Sequence, residues 1–190
     1  MDTKFSGQQT GERVLYFTRQ HKLAKHLGIL KVCVFALLLL LLFFYLSYFS
    51  PLFKNGFILL SVLSAIATFI VGIWWVHTTY QNTLFYITDR RIVRFLAVSP
   101  FNTPIRTLFW DEVVKCKTFH TRPILEKLFH FGSIEIHARS QDKDNVDLHF
   151  LAYSDDLANY IDKILFLYKN QPSELLALRE FIAKPKGQRY

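Results

Sequence analysis

Residues 27–49 read LGILKVCVFALLLLLLFFYLSYF, and after seven intervening residues the stretch 57–76 reads FILLSVLSAIATFIVGIWWV. The first stretch carries a single charge, Lys31, in its opening turns, where a lysine can snorkel to an interface; the second carries none. A helix of 23 residues rises about 35 Å, enough to cross the roughly 30 Å hydrocarbon layer with some tilt. Roughly fifteen Leu, Ile, Val and Phe at about −0.3 to −0.6 kcal/mol each outweigh one peripheral lysine, even at its midplane cost of about 3 kcal/mol. Both stretches are therefore predicted to be transmembrane helices. The connection 50–56 (SPLFKNG) is short and turn-forming, which makes the two helices antiparallel neighbours.

The flanks agree with this reading. Trp74 and Trp75 close the second span, with His77 and Tyr80 just beyond, an aromatic set suited to an interface. Ser64, Thr68 and Gly72 recur every fourth residue on the second helix, the spacing at which small side chains let two helices approach closely. A cleavable signal peptide has a shorter leader than the 26 residues here and an apolar region of about 7 to 15 residues. Residues 1–31 hold Lys4, Arg13, Arg19, Lys22, Lys25 and Lys31 against Asp2 and Glu12, whereas the loop 50–56 holds only Lys54. The positive-inside bias places both termini in the cytoplasm of a multi-pass protein of the cell membrane, with only the loop outside. Residues 1–26 then read as a cytoplasmic, basic, amphipathic segment, with Arg13, Arg19, Lys22, Lys25 and Lys31 as candidate contacts to anionic lipid.

The overall charge of +8 could suggest nucleic acid, but its distribution argues otherwise. Residues 77–190 hold 16 basic and 13 acidic side chains, so the part expected to face water is nearly balanced. The aromatic share of 16% is absorbed by lipid-facing candidates (Phe43, Phe44, Phe57, Phe69) and core candidates (Phe85, Phe95, Phe150), which leaves no base-stacking surface to invoke. Two cysteines, Cys33 and Cys116, cannot build a disulfide framework or a four-thiolate zinc site.

After Tyr80 the apolar period changes to two. Residues 83–88, 92–98, 105–110, 113–120, 133–139 and 146–152 are predicted strands. Asp89 and Arg90 form a tight connection, while 99–104 (SPFNTP) and 140–145 (SQDKDN) are loops. In the last pair Ile134, Ile136 and Ala138, and Val146, Leu148 and Phe150, face a core, with the intervening polar residues wet. Ser154 is placed to cap a helix whose stripe is Leu157, Ile161, Ile164, Leu165 and Tyr168. A second short helix is predicted from Pro172, with Leu175, Leu178, Phe181 and Ile182 on one side, as an additional docking surface before the tail.

Six or seven short strands followed by one helix call for a closed or nearly closed sheet. GERVLYFTRQH (11–21) before the first span, TLFYITDRRIV (83–93) after the second, and FHFGSIEIHA (129–138) with VDLHFLA (146–152) near the end resemble the bacterial pleckstrin-homology-like membrane proteins, over about Gly11 to Tyr168. The resemblance implies two transmembrane helices followed by a seven-stranded barrel capped by a C-terminal helix, here over 78–168; the short helix and tail over 170–190 lie beyond it. It implies no particular activity, since that family mostly lacks an assigned one. Eukaryotic pleckstrin-homology domains bind inositide headgroups through basic residues of the first hairpin. Arg90, Arg91 and Arg94 stand there in this chain, in a different spacing and without the usual lysine; they are candidate lipid-phosphate contacts, with the alternative that Arg90 and Arg91 set the turn with Asp89 and face solvent.

His120, His130, His137 and His149 raise the question of a metal, because cross-strand pairing could bring His137 to His149. Two ligands are too few, so no metal or cofactor is expected. Nucleophile elbow, phosphate loop and HExxH strings do not occur. Trp110, Asp111 and Glu112 are explained by a turn. The expectation is a non-catalytic recognition or assembly module at the cytoplasmic face, binding a protein partner, a copy of itself or lipid headgroups. The alternative is an accessory subunit of a membrane enzyme or transporter that works mainly through its helical hairpin.

Overall fold

The computed structural model describes residues 4–49, 51–119, 123–139 and 145–184. Features expected at Ser50, His120, positions 140–144 and the tail beyond 184 lie outside them. The chain divides into two compact units, 22–81 and the remainder, the latter assembled from residues on both sides of the former.

The unit 22–81 holds helix α1 (Lys22–Phe49), a short 3-10 turn (Pro51–Phe53) and helix α2 (Lys54–Asn82, whose last residue falls at the boundary). Both helices are long and apolar enough to cross a membrane. They run several residues past the predicted spans, and Lys54 to Gly56, expected in the loop, already belong to α2. At 28 and 29 residues the helices rise about 42 Å each, so their polar ends exceed a hydrocarbon layer of about 30 Å. Their packing is antiparallel and reciprocal: Gly28 faces Val76, and Gly72 faces Val32. A Cβ built on Gly72 would lie 2.5 Å from Val32 Cγ1, so glycine is required for this approach. Ser47 and Ser61 are also buried, each hydroxyl donating to a carbonyl one turn earlier. Leu, Phe and Ile side chains cover the outside, among them Phe44 and Phe69, while Phe43 and Phe57 are half-buried.

Among the described residues the second unit contains seven strands in two antiparallel sheets. Strands β1 (Val14–Arg19), β2 (Leu84–Thr88), β3 (Arg91–Phe95) and β4 (Ile105–Phe109) form one sheet in that order. Strands β5 (Val113–Phe119), β6 (Phe131–Ala138) and β7 (Val146–Ala152) form the other. The expected closed barrel is thus replaced by two sheets. Between β4 and β5 the chain buries Trp110 completely, and its indole N–H donates to the Thr88 carbonyl at 3.0 Å; this redirects the backbone and ends the ladder. The turn at 110–112 therefore carries a core anchor as well as the two exposed acidic residues.

The larger correction concerns the N-terminus. Val14–Arg19, expected in a basic amphipathic segment, is a strand paired with β2 from Val14↔Thr88 to Arg19↔Leu84. Leu15 and Tyr16 enter the core with Phe85, Ile87, Ile92, Leu108, Ile134, Ile136 and Leu148. The physical reason is burial: β2 is covered on both faces and needs a neighbour on its open edge. On its other face Tyr86 packs against Phe5, Phe17 and Phe95, with ring centroids 4.7, 4.8 and 5.8 Å away. A short helix α3 (Pro123–Phe129) precedes β6.

Helix α4 (Ser154–Asn170) covers the core with Leu157, Ala158, Ile161, Ile164, Leu165 and Leu167; Tyr168, expected on this stripe, is more than a third exposed. The cap position is Tyr153 in the left-handed conformation, one residue before the expected Ser154. Phe150 is left-handed too (φ 56°), which breaks the alternation of β7, so Leu151 is buried where Phe150 was expected. Helix α5 stops at Leu175 after Pro172. The following chain is not helical: the Phe181 N–H donates to the Leu15 carbonyl at 3.1 Å, and Leu178 and Phe181 pack on the core. The expected docking helix is therefore already docked, against β1 of its own unit, and Ile182 points outward.

Candidate functional site at the turn between β2 and β3

Two sequence stretches separated by the two long apolar helices, GER (11–13) and TDRR (88–91), meet at the β2–β3 turn. Pairing of β1 with β2 brings them together, because Val14 stands opposite Thr88. Glu12 and Arg91 form a two-pronged ion pair: Arg91 Nε–H donates to Glu12 Oε1 at 2.9 Å and an Nη2 hydrogen donates to Oε2 at 2.9 Å. The Glu12 side chain is wholly buried and that of Arg91 is 11% exposed. Arg91 also donates to the Gly7 carbonyl at 2.6 Å, and its guanidinium lies 5.8 Å from the ring centres of both Phe5 and Phe109.

Thr88 Oγ1 sits at the centre. It accepts the Arg91 N–H at 3.0 Å and lies 2.9 Å from Glu12 Oε1 and 2.8 Å from the Arg91 carbonyl; its one proton serves one of these at a time. The Asp89 carboxylate accepts the Arg13 N–H at 3.0 Å while the Asp89 N–H donates to the Arg13 carbonyl at 3.1 Å. Burial alone would raise the Glu12 pKa, but hydrogen bonds from Arg91, Gln9 and Thr88 and the Arg91 charge together hold it below its ordinary value. The bond to Glu12 is the main cause that pushes Arg91 upward.

The candidate contacts to lipid phosphate are distributed as follows. Arg91 is committed to Glu12. Arg90 is exposed and donates to the Gln9 side chain at 3.1 Å. Both stand at the end of the sheet opposite Arg19 and Leu84, about 16 Å along β2 from the residues that lead into the helices. Arg94 is buried and donates through Nη1 to the Asp147 carbonyl of β7; its pKa is lowered by burial first and then by Arg106, its cross-strand neighbour. Arg13 donates to the carbonyls of Leu175, Leu176 and Leu178 at 2.8 to 3.0 Å and so fixes the segment after α5. Arg19, Lys22 and Lys31 are exposed and Lys25 is half-buried. Trp74 and Trp75 are 48% and 42% exposed and Tyr80 is half-buried. On the packing side Gly72 meets Val32, whereas Ser64 and Thr68 are only half-buried and Ser61 is the closely packed serine.

The histidine juxtaposition does not form. Glu135 stands opposite Asp147 and Ile136 opposite Val146, with a bulge at the other end of β6, so His137 approaches Asn145 while His149 approaches Ser133, each at 3.3 Å. Among the described residues no three of His, Cys, Asp and Glu are grouped to hold a metal ion. Burial, then Asp162, pushes the Cys116 thiol up to about 12, so it is inert near neutral pH.

Glu12 is the residue that sequence reasoning missed. Its signal was present, an acidic residue alone in a basic flank, but its meaning depends on a strand whose partner lies beyond two helices. The chain matches no family model, no curated protein and no solved structure. The two long apolar helices with antiparallel sheets, and a helix on the core, stand as the established architecture.

Proposed function

We propose that this chain is a membrane-anchored, non-catalytic recognition or assembly module, with a pleckstrin-homology-like domain held at the cytoplasmic face of the cell membrane. The observation that carries the reading is connectivity: the helical hairpin is inserted between two neighbouring strands, β1 and β2, of one sheet. The connectors are only Gln20 and His21 on one side and Thr83 on the other. A domain joined to two membrane helices by such short connectors is restricted to the membrane plane, where a high effective concentration makes weak contacts with proteins, with other copies or with headgroups count. Pairing of β1 with β2 further requires both strands to lie on one side of the bilayer, in keeping with two crossings and with the basic flank inside. The count of seven strands and a C-terminal helix agrees with the pleckstrin-homology-like family. At the β2–β3 turn Glu12 and Arg91 are spent on each other and Asp89 and Arg13 on backbone groups, which favours a binding scaffold over a reaction centre.

The test is a hairpin exchange. Residues 27–76 are replaced by an unrelated two-helix hairpin of equal length and partners are captured by crosslinking in native membranes. Retained capture is expected if the β-domain carries recognition. Loss of capture, with the domain folded and inserted, would transfer the function to the helices and to the accessory-subunit reading.

A further inference from the structure

One end of the β-domain exposes apolar side chains on two elements that the proposed recognition role leaves unexplained. Register identifies that end: Arg19 pairs with Leu84, Leu84 with Phe95, and Phe95 with Ile105. The loop between β3 and β4 therefore stands at the same end of the sheet as the two points where the chain passes to the membrane helices. Its tip is turned outward, with Val98 63% exposed, Phe101 84% and Ile105 53%. The tip is also rigid. The Ser99 hydroxyl oxygen accepts the N–H groups of Phe101 and Asn102, the Val98 N–H donates to the Asn102 carbonyl at 3.0 Å, and Pro100 and Pro104 restrict the backbone.

The second element is α3. It ends one residue before His130, and the next residue, Phe131, stacks its ring on His21 at 5.6 Å, the residue just ahead of α1. The His21 N–H donates to the Phe150 carbonyl at 2.6 Å, which ties β7 to the same place. On α3, Ile124 and Leu128 lie one turn apart and are 82% and 67% exposed, while Glu126 on the opposite side is buried. An ordinary soluble surface scatters such residues; here they stand near the exit point of the chain, with Arg19 at that end of β1 and the exposed Arg106 next to Ile105 on the loop side, while Asp155 and Asp156 lie near Glu126 on the α3 side.

We infer that this end of the domain is a lipid-embedding face: Phe101 with Val98 and Ile105, and Ile124 with Leu128, enter the headgroup and upper acyl layer of an anionic bilayer. Apolar side chains beside the exit points, with Arg19 and Arg106 on the loop side, match a surface that is apolar below and anionic above. Such embedding fixes the orientation of the domain, which two short connectors alone would leave free to rock, and it turns the β2–β3 end away from lipid. The inference rests on the helices spanning the membrane.

The experiment uses the full chain with Cys33→Ala and Cys116→Ala, reconstituted in phosphatidylethanolamine and phosphatidylglycerol vesicles. A nitroxide is placed in turn at Phe101→Cys, Ile124→Cys, Asp111→Cys and Ile70→Cys. Collision with oxygen, enriched in lipid, is compared with collision with a water-soluble nickel complex, and an unchanged thermal transition for each variant confirms folding. Positions 101 and 124 are expected to match Ile70 on α2, with high oxygen and low nickel accessibility, while 111 shows the reverse. If 70 is lipidic but 101 and 124 are as wet as 111, the embedding is wrong and the anchored reading survives. If 70 itself is wet, the anchored reading fails and the embedding with it. If 101 and 124 are shielded from both reagents, a protein surface or a second copy covers them and the lipid assignment is overturned.

Discussion

Strands β1 and β2 are separated by 64 residues and pair along their whole length; strands β4 and β5 are separated by three and lie in different sheets. Proximity along the chain would favour the opposite outcome, since a short connection normally makes a hairpin. Two features invert it. The helices between β1 and β2 are nearly equal in length and pack antiparallel through the Gly28–Val76 and Val32–Gly72 contacts, so the chain returns to the level from which it left. Between β4 and β5, Trp110 is drawn into the core and its N–H is held by Thr88, which no two-residue hairpin turn allows. Where the intervening segment is internally rigid, its length costs little; where a short segment carries a large core residue, shortness does not secure pairing.

The strongest way to break this comparison is to remove the hairpin. Replacing Gln20–Thr83 with Asn-Gly should give a soluble domain, because Arg19 and Leu84 stand directly opposite and a two-residue turn can join them. A fragment starting at residue 82 should lack a cooperative thermal transition. Without β1 it loses the burial of Leu15 and Tyr16, about 3 to 6 kcal/mol, against a total of about 5 to 15 for a typical domain. Circular dichroism melts of the two proteins decide the matter, and equal cooperative transitions would show that β1 is dispensable. The second prediction addresses the other connection. Trp110→Ala should destabilise the excised domain by about 3 to 5 kcal/mol in urea titration, and Asp111→Ala by less than about 0.5. A small effect at Trp110 would mean that something else divides the sheets.

The same contrast explains what could be read from the sequence. The two helices are legible because 23 and 20 nearly uncharged residues in unbroken runs leave helix as the element that fits their length and composition. Strand β7 is legible to the residue and the other strands after Tyr80 to within one to three residues at their ends, because alternation and turn residues are local signals. β1 is not: VLYFTR is six residues long, sits among basic residues beside a long apolar stretch, and finds its partner only across the helical hairpin. Two further differences follow from that one: the Phe181 N–H meets the Leu15 carbonyl of β1 where a helix is expected, and Arg91, a candidate for either a turn-setting role or a lipid contact, pairs with Glu12. The closed barrel failed for a different reason, the burial of Trp110, which no periodicity reports.

The last and smallest effect concerns how β1 is held in register. Glu12 precedes the strand and ties it to Arg91 and Thr88, so Glu12→Gln leaves the shape of the side chain while removing its charge. Removing one member of a buried pair costs about 3 to 5 kcal/mol where the partner is left uncompensated; here the low end, about 3 kcal/mol, is expected, because Arg91 keeps the Gly7 carbonyl and is partly open to water. The pH dependence distinguishes an ionic role from a packing one. The folded-state pKa of Glu12 lies below its reference value of 4.5, so the stabilisation is fully present above that value and is lost as pH falls through the folded-state pKa. Wild type and variant should therefore differ most near neutral pH and converge in acid, where Glu12 of the wild type is itself protonated. Asp162, whose pKa is raised by burial, titrates in both proteins and cancels from the difference. Urea midpoints of the excised domain measured from neutral pH down to the acid transition give that difference directly. A constant gap across the range would mean that the carboxyl acts through hydrogen bonding and not through its charge.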